Sequence, residues 1–307
     1  MTHQDLLVSI EGVTCYLPGD PERKHPVLRD IHWRVRAGAH CALFGPNGAG
    51  KSSLLRLIAG ELWPASCRIL WRAPGNKPGE METSPIVGRA LCALVSPAVQ
   101  ESWQRRAPDM TGLEAIVATI EAARFGTPPE QCAERARAVA QSLGCEELLA
   151  RRLPELSQGQ LRLVLLAGAL AREPGLLLLD ECLDGLDAFH RRRFSEALAA
   201  YAERGTVVMA SHRPESVPAW CRGRAWLEGG RLFTHTPGRP YMAQRREGAG
   251  AASAPTPRAT PAPVPAAGAD APPLLELAGV SVYIDRVKVL HNIDLRVSRG
   301  EHWRVSG

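Results

Sequence analysis

The sequence predicts an α/β fold, in which helices flank a largely parallel sheet, and three observations lead to this prediction. Residues 40–44 form a short apolar stretch typical of a strand, and a glycine-rich turn and an amphipathic helix follow over 45–59. A second apolar run, 176–181, ends in two acids, as expected of a buried central strand. The 307 residues are 45% hydrophobic and 22% charged, so the chain can bury a sizeable core.

One abrupt change of composition divides the chain. Residues 248–273 consist almost entirely of Gly, Ala, Pro, Ser and Thr, which cannot form a packed core and favour an extended linker. We therefore predict a complete domain over 5–240 and a shorter segment over 274–307. Apolar residues at helical spacing predict a helical insertion over about 98–165 within the first domain.

Charge, aromatic content and cysteine usage narrow the function. The net charge of +5 comes from scattered basic residues and only 5% of residues are aromatic, so a nucleic-acid partner is not predicted. The eight cysteines form no CxxC or Cys/His pair with zinc-ligand spacing, which suits a reducing compartment. Asp5 and Glu11 argue against a secretory signal, and no window is long and apolar enough to span a membrane. We expect a cytoplasmic chain that can dock on a membrane protein.

The strongest chemical signal is the stretch HCALFGPNGAGKSSLLRLIAG, which places the pattern GxxxxGK[ST] between a strand and a helix. Glycines let backbone N–H groups turn inward around phosphate, and the helix N-terminus adds partial positive charge. Lys51 can reach the β- and γ-phosphates of a nucleotide, and the Ser52 hydroxyl can ligate Mg²⁺. The predicted phosphate-binding residues are Gly45, Pro46, Asn47, Gly48, Ala49, Gly50, Lys51, Ser52 and Ser53. The motif therefore predicts that the chain binds the phosphates of a nucleotide together with Mg²⁺.

The two acids that end the run LLLLDE are the predicted metal-side and catalytic carboxylates. Parallel strands deliver their C-terminal residues to the sheet edge at which a phosphate-binding loop also lies. We predict that Asp180 holds Mg²⁺ through water and that Glu181 activates the attacking water as a general base. Between the loop and these acids, LSQGQLRLVLLAGAL predicts an amphipathic helix that begins at Ser157 and presents a second free N-terminus.

Taken in order, GPNGAGKS, LSQGQ, LLLLDE, GLD and SHRPES resemble the motifs of an ATP-binding-cassette (ABC) ATPase domain over about residues 5–235. The resemblance implies a P-loop NTPase fold with an N-terminal antiparallel β subdomain and a helical insertion. It also implies that two such domains, placed head to tail, hold ATP between them. Ser157, Gly159 and Gln160 would then contact a nucleotide bound by a partner domain. Asp187 would be the acid at the seam between the domains.

The resemblance also assigns residues around the nucleotide. His212 would be the switch histidine that contacts the γ-phosphate and positions Glu181 and the attacking water, and Tyr16 would stack on the adenine ring. A glutamine is expected directly after the strand that leads into the helical insertion. Ser96 stands there instead, and Gln100 follows four residues later. Gln100 either serves through a longer loop or is a surface residue, and both interpretations are open.

Two features predict a tandem arrangement. Cys182 replaces the common proline in DECLDGLD, a pattern that resembles the tandem ABC ATPases associated with molybdate transport. Residues 27–45 also align without a gap with residues 289–307. The identical pairs are Val27/Val289, Leu28/Leu290, Ile31/Ile293, Arg34/Arg296, Val35/Val297, Gly38/Gly300, His40/His302 and Gly45/Gly307. We therefore predict that 274–307 begins a second cassette and that the chain is truncated within it.

Three interpretations of the function are open. The first is an ATPase that energises, or associates with, an ABC transporter at the inner face of the plasma membrane. The second is a soluble tandem protein that acts on ribosomes or other nucleoprotein, and the third is a non-catalytic nucleotide-gated module. The predicted partner is a second ABC domain, supplied by a homodimer or by a tandem partner missing from this chain. The first interpretation adds a membrane permease subunit.

Overall fold

The structure is a computed structural model that describes residues 5–16, 24–73, 75–77, 79–106, 109–122, 128–184, 186–234, 275–284 and 287–298. The chain divides into two units, Met1–Tyr241 and Met242–Gly307. The predicted linker over 248–273 and the residue Gly307 lie outside the described residues.

The described strands and helices of the first unit are named here in chain order. The strands are β1 (Leu6–Cys15), β2 (Leu28–Arg36), β3 (Cys41–Phe44), β4 (Ser66–Trp71), β5 (Cys92–Val95), β6 (Leu176–Asp180), β7 (Thr206–Ala210), β8 (Gly223–Glu228) and β9 (Arg231–Thr234). The helices are α1 (Lys51–Ile58), α2 (Pro85–Leu91), α3 (Pro97–Arg106), α4 (Gly112–Glu121), α5 (Pro129–Ser142), α6 (Gln158–Ala171) and α7 (Ala188–Ala202). Among the described residues, none of the helices has the length and apolar character that a membrane crossing requires.

Six strands form the sheet that carries the candidate site, in the order β5-β6-β7-β3-β8-β9. All neighbours are parallel except β8 and β9, which are antiparallel. Strands β6 and β7 are buried at every residue because apolar clusters cover both faces of the sheet. The C-terminal ends of β6, β7 and β3 therefore lie side by side, at the edge where open α/β sheets bind ligands.

A separate antiparallel sheet, in the order β2-β1-β4, packs against this core. The indole Nε1 of Trp71 on β4 donates a hydrogen bond to the carbonyl oxygen of Ile58 at 2.7 Å, which ties the sheet to the end of α1. Gly88 on α2 allows close packing on the same ring, since a Cβ there would lie 2.8 Å from Trp71 atoms. The loop-to-helix element over α1 is thus supported from its C-terminal end.

Helices α3 to α6 form a helical layer between β5 and β6. Thr111 caps α4 by accepting a hydrogen bond from the backbone N–H of Glu114, and the Glu114 carboxylate accepts one in return from the backbone N–H of Thr111. Gly168 lets α4 approach α6, because a Cβ there would lie 3.2 Å from the Thr119 hydroxyl. The predicted α/β fold, with its antiparallel β subdomain and helical insertion, is confirmed.

The described part of the second unit is an antiparallel hairpin of strands β10 (Leu275–Ile284) and β11 (Val287–Val297). Its register corresponds to that of β1 and β2. The corresponding pairs are Leu275/Val297 with Val8/Val35, Glu276/Arg296 with Ser9/Arg34, Leu277/Leu295 with Ile10/Trp33, Val280/Ile293 with Val13/Ile31, and Val282/Leu290 with Cys15/Leu28. The two hairpins therefore share the same backbone pairing.

Each hairpin also has a β-bulge on its second strand, with a residue in left-handed backbone at the equivalent position. Asp30 in the first and Asn292 in the second adopt left-handed backbone, with φ of 51° and 48°. The Asp30 N–H donates to the Thr14 hydroxyl at 3.2 Å, and the Asn292 N–H donates to the Ser281 hydroxyl at 3.1 Å. Asn and Asp tolerate this conformation better than most residues, so both bulges use the same chemistry.

Candidate nucleotide-binding site

The loop between β3 and α1 has glycine where a side chain does not fit. Gly45 has a φ of 153°, and a Cβ there would lie 2.2 Å from the carbonyl oxygen of Leu227 on β8. Gly50 has a φ of 102°, and a Cβ there would lie 3.0 Å from the Val27 carbonyl oxygen. Gly50 is also the N-cap residue of α1 and brings no side-chain cap. The backbone N–H groups of the first turn are therefore available to an anion.

Lys51 begins α1 and is only 5% exposed. Its Nζ donates hydrogen bonds to the carbonyl oxygens of Gly45 at 3.0 Å and Pro46 at 3.2 Å. The same Nζ lies 3.5 Å from Oε1 of Glu181. The loop thus folds around the lysine and fixes its ammonium group beside the catalytic carboxylate predicted from the sequence.

Asp180 ends β6 and is buried, and Ser52 donates a hydrogen bond to its carboxylate. Burial raises the pKa of Asp180, and the hydrogen bond from Ser52 opposes that rise. Within the described part of the chain, its Oδ1 is buried and has no hydrogen-bond partner. A buried carboxylate oxygen that lacks a partner, next to a hydroxyl, is a hard oxygen donor set of the kind that Mg²⁺ prefers. These two residues therefore fit the predicted ion.

Glu181 follows Asp180 in a left-handed backbone conformation, with a φ of 50°. Such backbone is uncommon away from glycine, costs about 1 kcal/mol or more, and is found often at functional sites. The Glu181 N–H donates to the carbonyl oxygen of Ala210 at 3.1 Å, so the turn is anchored to the end of β7. The turn leaves the Glu181 side chain 33% exposed. Its carboxylate can therefore meet a substrate while it faces Lys51.

His212 follows β7 and completes this cluster. Ser211 holds the segment against β3 by donating its N–H to the Leu43 carbonyl oxygen at 3.1 Å. Nδ1 of His212 lies 3.7 Å from Oε1 of Glu181 and 3.3 Å from Oδ2 of Asp184. The structure thus brings together Lys51, Glu181 and His212, which lie far apart in the sequence.

Gln100 lies on a helix and is buried, so it is neither on a longer loop nor on the surface, and its role at the nucleotide stays a prediction. Helix α3 begins at Pro97, immediately after β5, and the Ser96 hydroxyl accepts a hydrogen bond from a backbone N–H of its first turn at 3.2 Å. Gln100 is only 4% exposed. Its amide donates to the Gln158 side chain and accepts from Nε of Arg162 at 3.3 Å. These contacts direct Gln100 toward α6, because the helix begins where a loop was expected.

The segment LSQGQ forms the exposed start of α6. The Ser157 hydroxyl accepts from the Gln160 N–H at 3.2 Å, and the Gln160 side chain accepts from the Ser157 N–H at 3.0 Å. Nη1 of Arg151 also donates to the Gln160 side chain at 3.2 Å. At Gly159 a Cβ would lie 3.1 Å from the His190 ring, so glycine lets the two helix ends approach. The capping box leaves the Ser157 side chain exposed at the surface.

Asp187 is the N-cap residue of α7. Its carboxylate accepts from the His190 N–H at 2.9 Å and lies 2.6 Å from Nδ1 of the same histidine. These hydrogen bonds lower the pKa of Asp187. Since the His190 ring also packs on Gly159, the starts of α6 and α7 form one cluster. The described contacts of Asp187 thus lie within its own helix and this cluster.

Tyr16 lies directly after β1. The preceding residue, Cys15, pairs with Leu28 on β2. A Leu28 methyl carbon lies 3.1 Å from the position that a Cβ would take on Gly50. The strand pair that precedes Tyr16 thus packs near the N-terminus of α1, and the contact of Tyr16 with a base stays a prediction.

Two residues of this region were not predicted to have a role. Asp184 lies in the stretch DECLDGLD, and its carboxylate faces His212. Arg162 bonds to Gln100 and donates through Nη1 to the carbonyl oxygens of Cys182, at 3.4 Å, and of Asp184. An arginine in an amphipathic helix carries no local signal for such a link, so only the fold reveals it.

A parallel sheet whose edge brings a GxxxxGK[ST] loop, its lysine and two acids together defines a P-loop nucleotide-binding protein. The sequence profile of the ABC transporter family matches residues 28–184. The chain therefore belongs to the ABC transporter family.

Individual proteins show the same similarity. The chain is 31% identical over 281 residues to the ABC transporter ATP-binding protein ModF of Escherichia coli (strain K12), covering 89% of this chain and 55% of that protein. It is 34% identical over 208 residues to the zinc import ATP-binding protein ZnuC of Ruegeria pomeroyi, covering 67% of this chain and 69% of that one. The chain thus spans about half the length of ModF.

A solved structure shares the fold. The structure of cbiO1 from Clostridium perfringens, part of the ABC transporter complex cbiONQ, superposes with a TM-score of 0.57 at 26% identity. The match covers 75% of this chain and 87% of cbiO1.

Proposed function

We propose that the chain hydrolyses ATP to ADP and phosphate at a site completed by a second cassette, and that this cycle energises an ABC transporter. The main observation behind the proposal is that Lys51 and His212 both lie close to the Glu181 carboxylate. Its Oε1 lies 3.5 Å from Nζ of Lys51 and 3.7 Å from Nδ1 of His212. A base, a cation and a histidine at the edge beside a phosphate-binding loop are the groups that phosphoryl transfer to water requires.

Nucleotide binding rests on the loop over 45–53. Its backbone N–H groups and the N-terminus of α1 attract phosphate, and Lys51 gives up carbonyl contacts within the loop for the β- and γ-phosphates. Ser52 and Asp180 would hold Mg²⁺, which when bound neutralises phosphate charge. Tyr16 would stack on the adenine.

Hydrolysis uses the exposed Glu181 carboxylate. As the water oxygen forms a bond to the γ-phosphorus, Glu181 takes the water proton, and the bond from that phosphorus to the bridging β–γ oxygen breaks. ADP leaves with the bridging oxygen. His212 would orient Glu181 and the γ-phosphate, and Lys51 would stabilise the negative charge that the γ-phosphate carries.

Pairing supplies the second wall of the site. The start of α6 presents the Ser157 hydroxyl and a positive helix end, a pairing surface suited to a γ-phosphate bound by another cassette. Ser157, Gly159 and Gln160 would make this contact, with Asp187 at the seam. The cluster of Gly159, His190 and Asp187 supports the proposal because it links the starts of α6 and α7.

A transport role is supported by the relatives. ZnuC is named for zinc import, and cbiO1 is part of a transporter complex. We propose a membrane permease as the further partner and a place on the cytoplasmic face of the membrane. These names favour transport over a role on ribosomes, and the Glu181 cluster favours catalysis over a non-catalytic module.

A tandem design is the further part of the proposal. We propose that 274–307 begins a second cassette, joined by the linker over 248–273 to the first cassette over 5–240. The common register and bulge of the two described hairpins support it. So does the similarity to ModF, which extends over 89% of this chain but only 55% of ModF.

Glu181→Gln tests the ATPase directly. We expect phosphate release by the full chain with ATP and Mg²⁺ to fall by about 10²-fold or more, because the general base is lost while the shape is kept. ATP affinity should change little. The matched control is Glu196→Gln, an exposed carboxylate paired with Arg192, which should leave turnover unchanged. Equal turnover in wild type and Glu181→Gln would contradict the proposal.

A further inference from the structure

Asp184 has a buried carboxylate in the turn that follows Glu181. Its side chain is 19% exposed. Both of its carboxylate oxygens are buried and lack a hydrogen-bond partner within the described part of the chain. Burying a carboxylate costs free energy unless a charged group or a hydrogen-bond donor faces it. The group that faces Asp184 therefore bears on the function of this residue.

The His212 ring faces this carboxylate. Nδ1 of His212 lies 3.3 Å from Oδ2 of Asp184, at ion-pair distance but outside hydrogen-bond geometry. The same nitrogen lies 3.7 Å from Oε1 of Glu181. Asp184 is therefore the nearer of the two acids to Nδ1 of His212.

The hydrogen bond at Nε2 of His212 indicates which ring nitrogen carries the proton. Nε of Arg213 donates a hydrogen bond to Nε2 of His212 at 3.1 Å. A guanidinium has donors only, so Nε2 must be the acceptor, and in a neutral ring Nδ1 then bears the hydrogen. That hydrogen points toward Asp184 and Glu181.

The turn that carries Asp184 is anchored from two sides. Arg162 on α6 donates to the backbone carbonyl oxygens of Cys182 and Asp184. The Cys182 thiol donates to the Val95 carbonyl oxygen at 3.0 Å, at the end of β5. Because backbone and neighbours hold the turn, the carboxylate of Asp184 stays at a defined place relative to His212.

We propose that Asp184 is a positioning residue for ATP hydrolysis: its carboxylate accepts the Nδ1–H of His212 and holds the ring beside Glu181. This inference rests on the proposed ATPase function and names a residue that works through His212. Without Asp184, the same N–H is drawn to Glu181, and it then occupies the oxygen that must take a proton from water. With Asp184, the ring is fixed beside Glu181, so it can orient this side chain while the Glu181 oxygens stay able to accept the water proton.

The test compares two variants of the full chain. Asp184→Ala removes the acceptor and should lower kcat for ATP hydrolysis about tenfold or more, while KM for ATP stays within about twofold. Asp184→Asn keeps an acceptor oxygen without charge and should recover part of kcat. The control Asp109→Asn changes an acid that is 90% exposed and should leave kcat at the wild-type value. Thermal unfolding checks that each variant is folded.

A double-mutant cycle separates positioning from a structural effect. If Asp184 works through His212, then Asp184→Ala should lower kcat no further when His212→Ala is already present. Nitrogen NMR of the histidines, with His212 assigned by its loss in His212→Ala, should show Nδ1 protonated in the wild type. In Asp184→Ala the Nδ1 resonance of His212 should shift.

The outcomes distinguish this inference from the proposed function. If the wild type hydrolyses ATP and Asp184→Ala keeps its kcat, or if the losses from Asp184→Ala and His212→Ala multiply, the positioning role is overturned. If Asp184→Ala does not fold, the test rests on Asp184→Asn and on NMR. The positioning role is overturned if Asp184→Asn has the kcat of the wild type and His212 is protonated at Nε2. If the wild type releases no more phosphate than Glu181→Gln, the proposed function itself has failed.

Discussion

At the scale of single residues, Gly45 and Gly48 in one loop have different constraints. Both have positive φ, at 153° and 77°. A Cβ on Gly45 would lie 2.2 Å from a backbone oxygen of Leu227, whereas a Cβ on Gly48 would meet nothing within 4 Å. Gly45 is therefore required both for conformation and for space, and Gly48 for conformation alone.

Replacing each glycine by alanine separates the cost of left-handed backbone from the cost of the steric clash. Gly48→Ala should lower the free energy of unfolding by about 1–2 kcal/mol, which is the cost of left-handed backbone. Gly45→Ala should lower it by about 3 kcal/mol or more, because β3 and β8 must also move apart. Urea unfolding of both variants measures the difference. Equal losses would mean that the contact with Leu227 does not constrain the loop.

Some residues of the site can be predicted from the sequence and others cannot. The loop over 45–53 is predictable because glycines, lysine and hydroxyl follow one another along the chain and need only local geometry. Glu181 and His212 were predicted from their motifs, but no motif indicated that Asp184 faces the histidine. That contact depends on a turn after β6 and a turn after β7, and the approach of two turns is a tertiary property.

At the scale of elements, the start of α7 is stabilised by charge. Asp187 accepts from the backbone and ring of His190, and these hydrogen bonds lower its pKa in the folded chain. A carboxylate whose pKa is lowered by folding stabilises the fold above its unfolded pKa. That stabilisation is lost as the pH falls through the lower folded pKa. The cap of α7 should therefore depend on pH.

Asp187→Ala should lower Tm by about 2–4 °C near pH 7, as expected for the loss of a helix N-cap. The difference from wild type should shrink as the pH falls through the lowered folded pKa of Asp187, because the wild-type carboxylate then becomes protonated. Asp187→Asn keeps an acceptor and should show a smaller loss at pH 7. Calorimetry across this pH range measures it, and a difference that is constant with pH would contradict a charged cap.

The start of α3 shows why one element was misjudged. A motif comparison predicts a glutamine on a loop, and Gln100 was placed on such a loop or on the surface. The stretch SPAVQ instead carries a helix start, with Ser96 as the cap and Pro97 at the first position. Local capping chemistry was readable in the sequence, but the family pattern took precedence over it.

At the scale of the whole molecule, the proposed pairing of cassettes would link the site to transport. In one cassette, the loop over 45–53 and Glu181 lie at one sheet edge, and the exposed Ser157 begins a helix that, in the proposed pair, serves a different nucleotide. The repeated hairpin of β10 and β11 supports a chain designed around two such cassettes. ATP would then act as the bridge that holds two cassettes together.

The sedimentation mass of the full-length Glu181→Gln chain, with ATP and Mg²⁺, tests this pairing most directly. Hydrolysis is blocked in that variant, so the chain should sediment at twice the mass of a single copy with ATP and at the single mass with ADP. Adding Ser157→Arg should return the ATP-bound chain to the single mass, because the bulky side chain blocks the contact between the start of α6 and the second nucleotide. A Glu181→Gln chain that binds ATP and still sediments as a single copy at micromolar concentration would contradict a site shared between two cassettes.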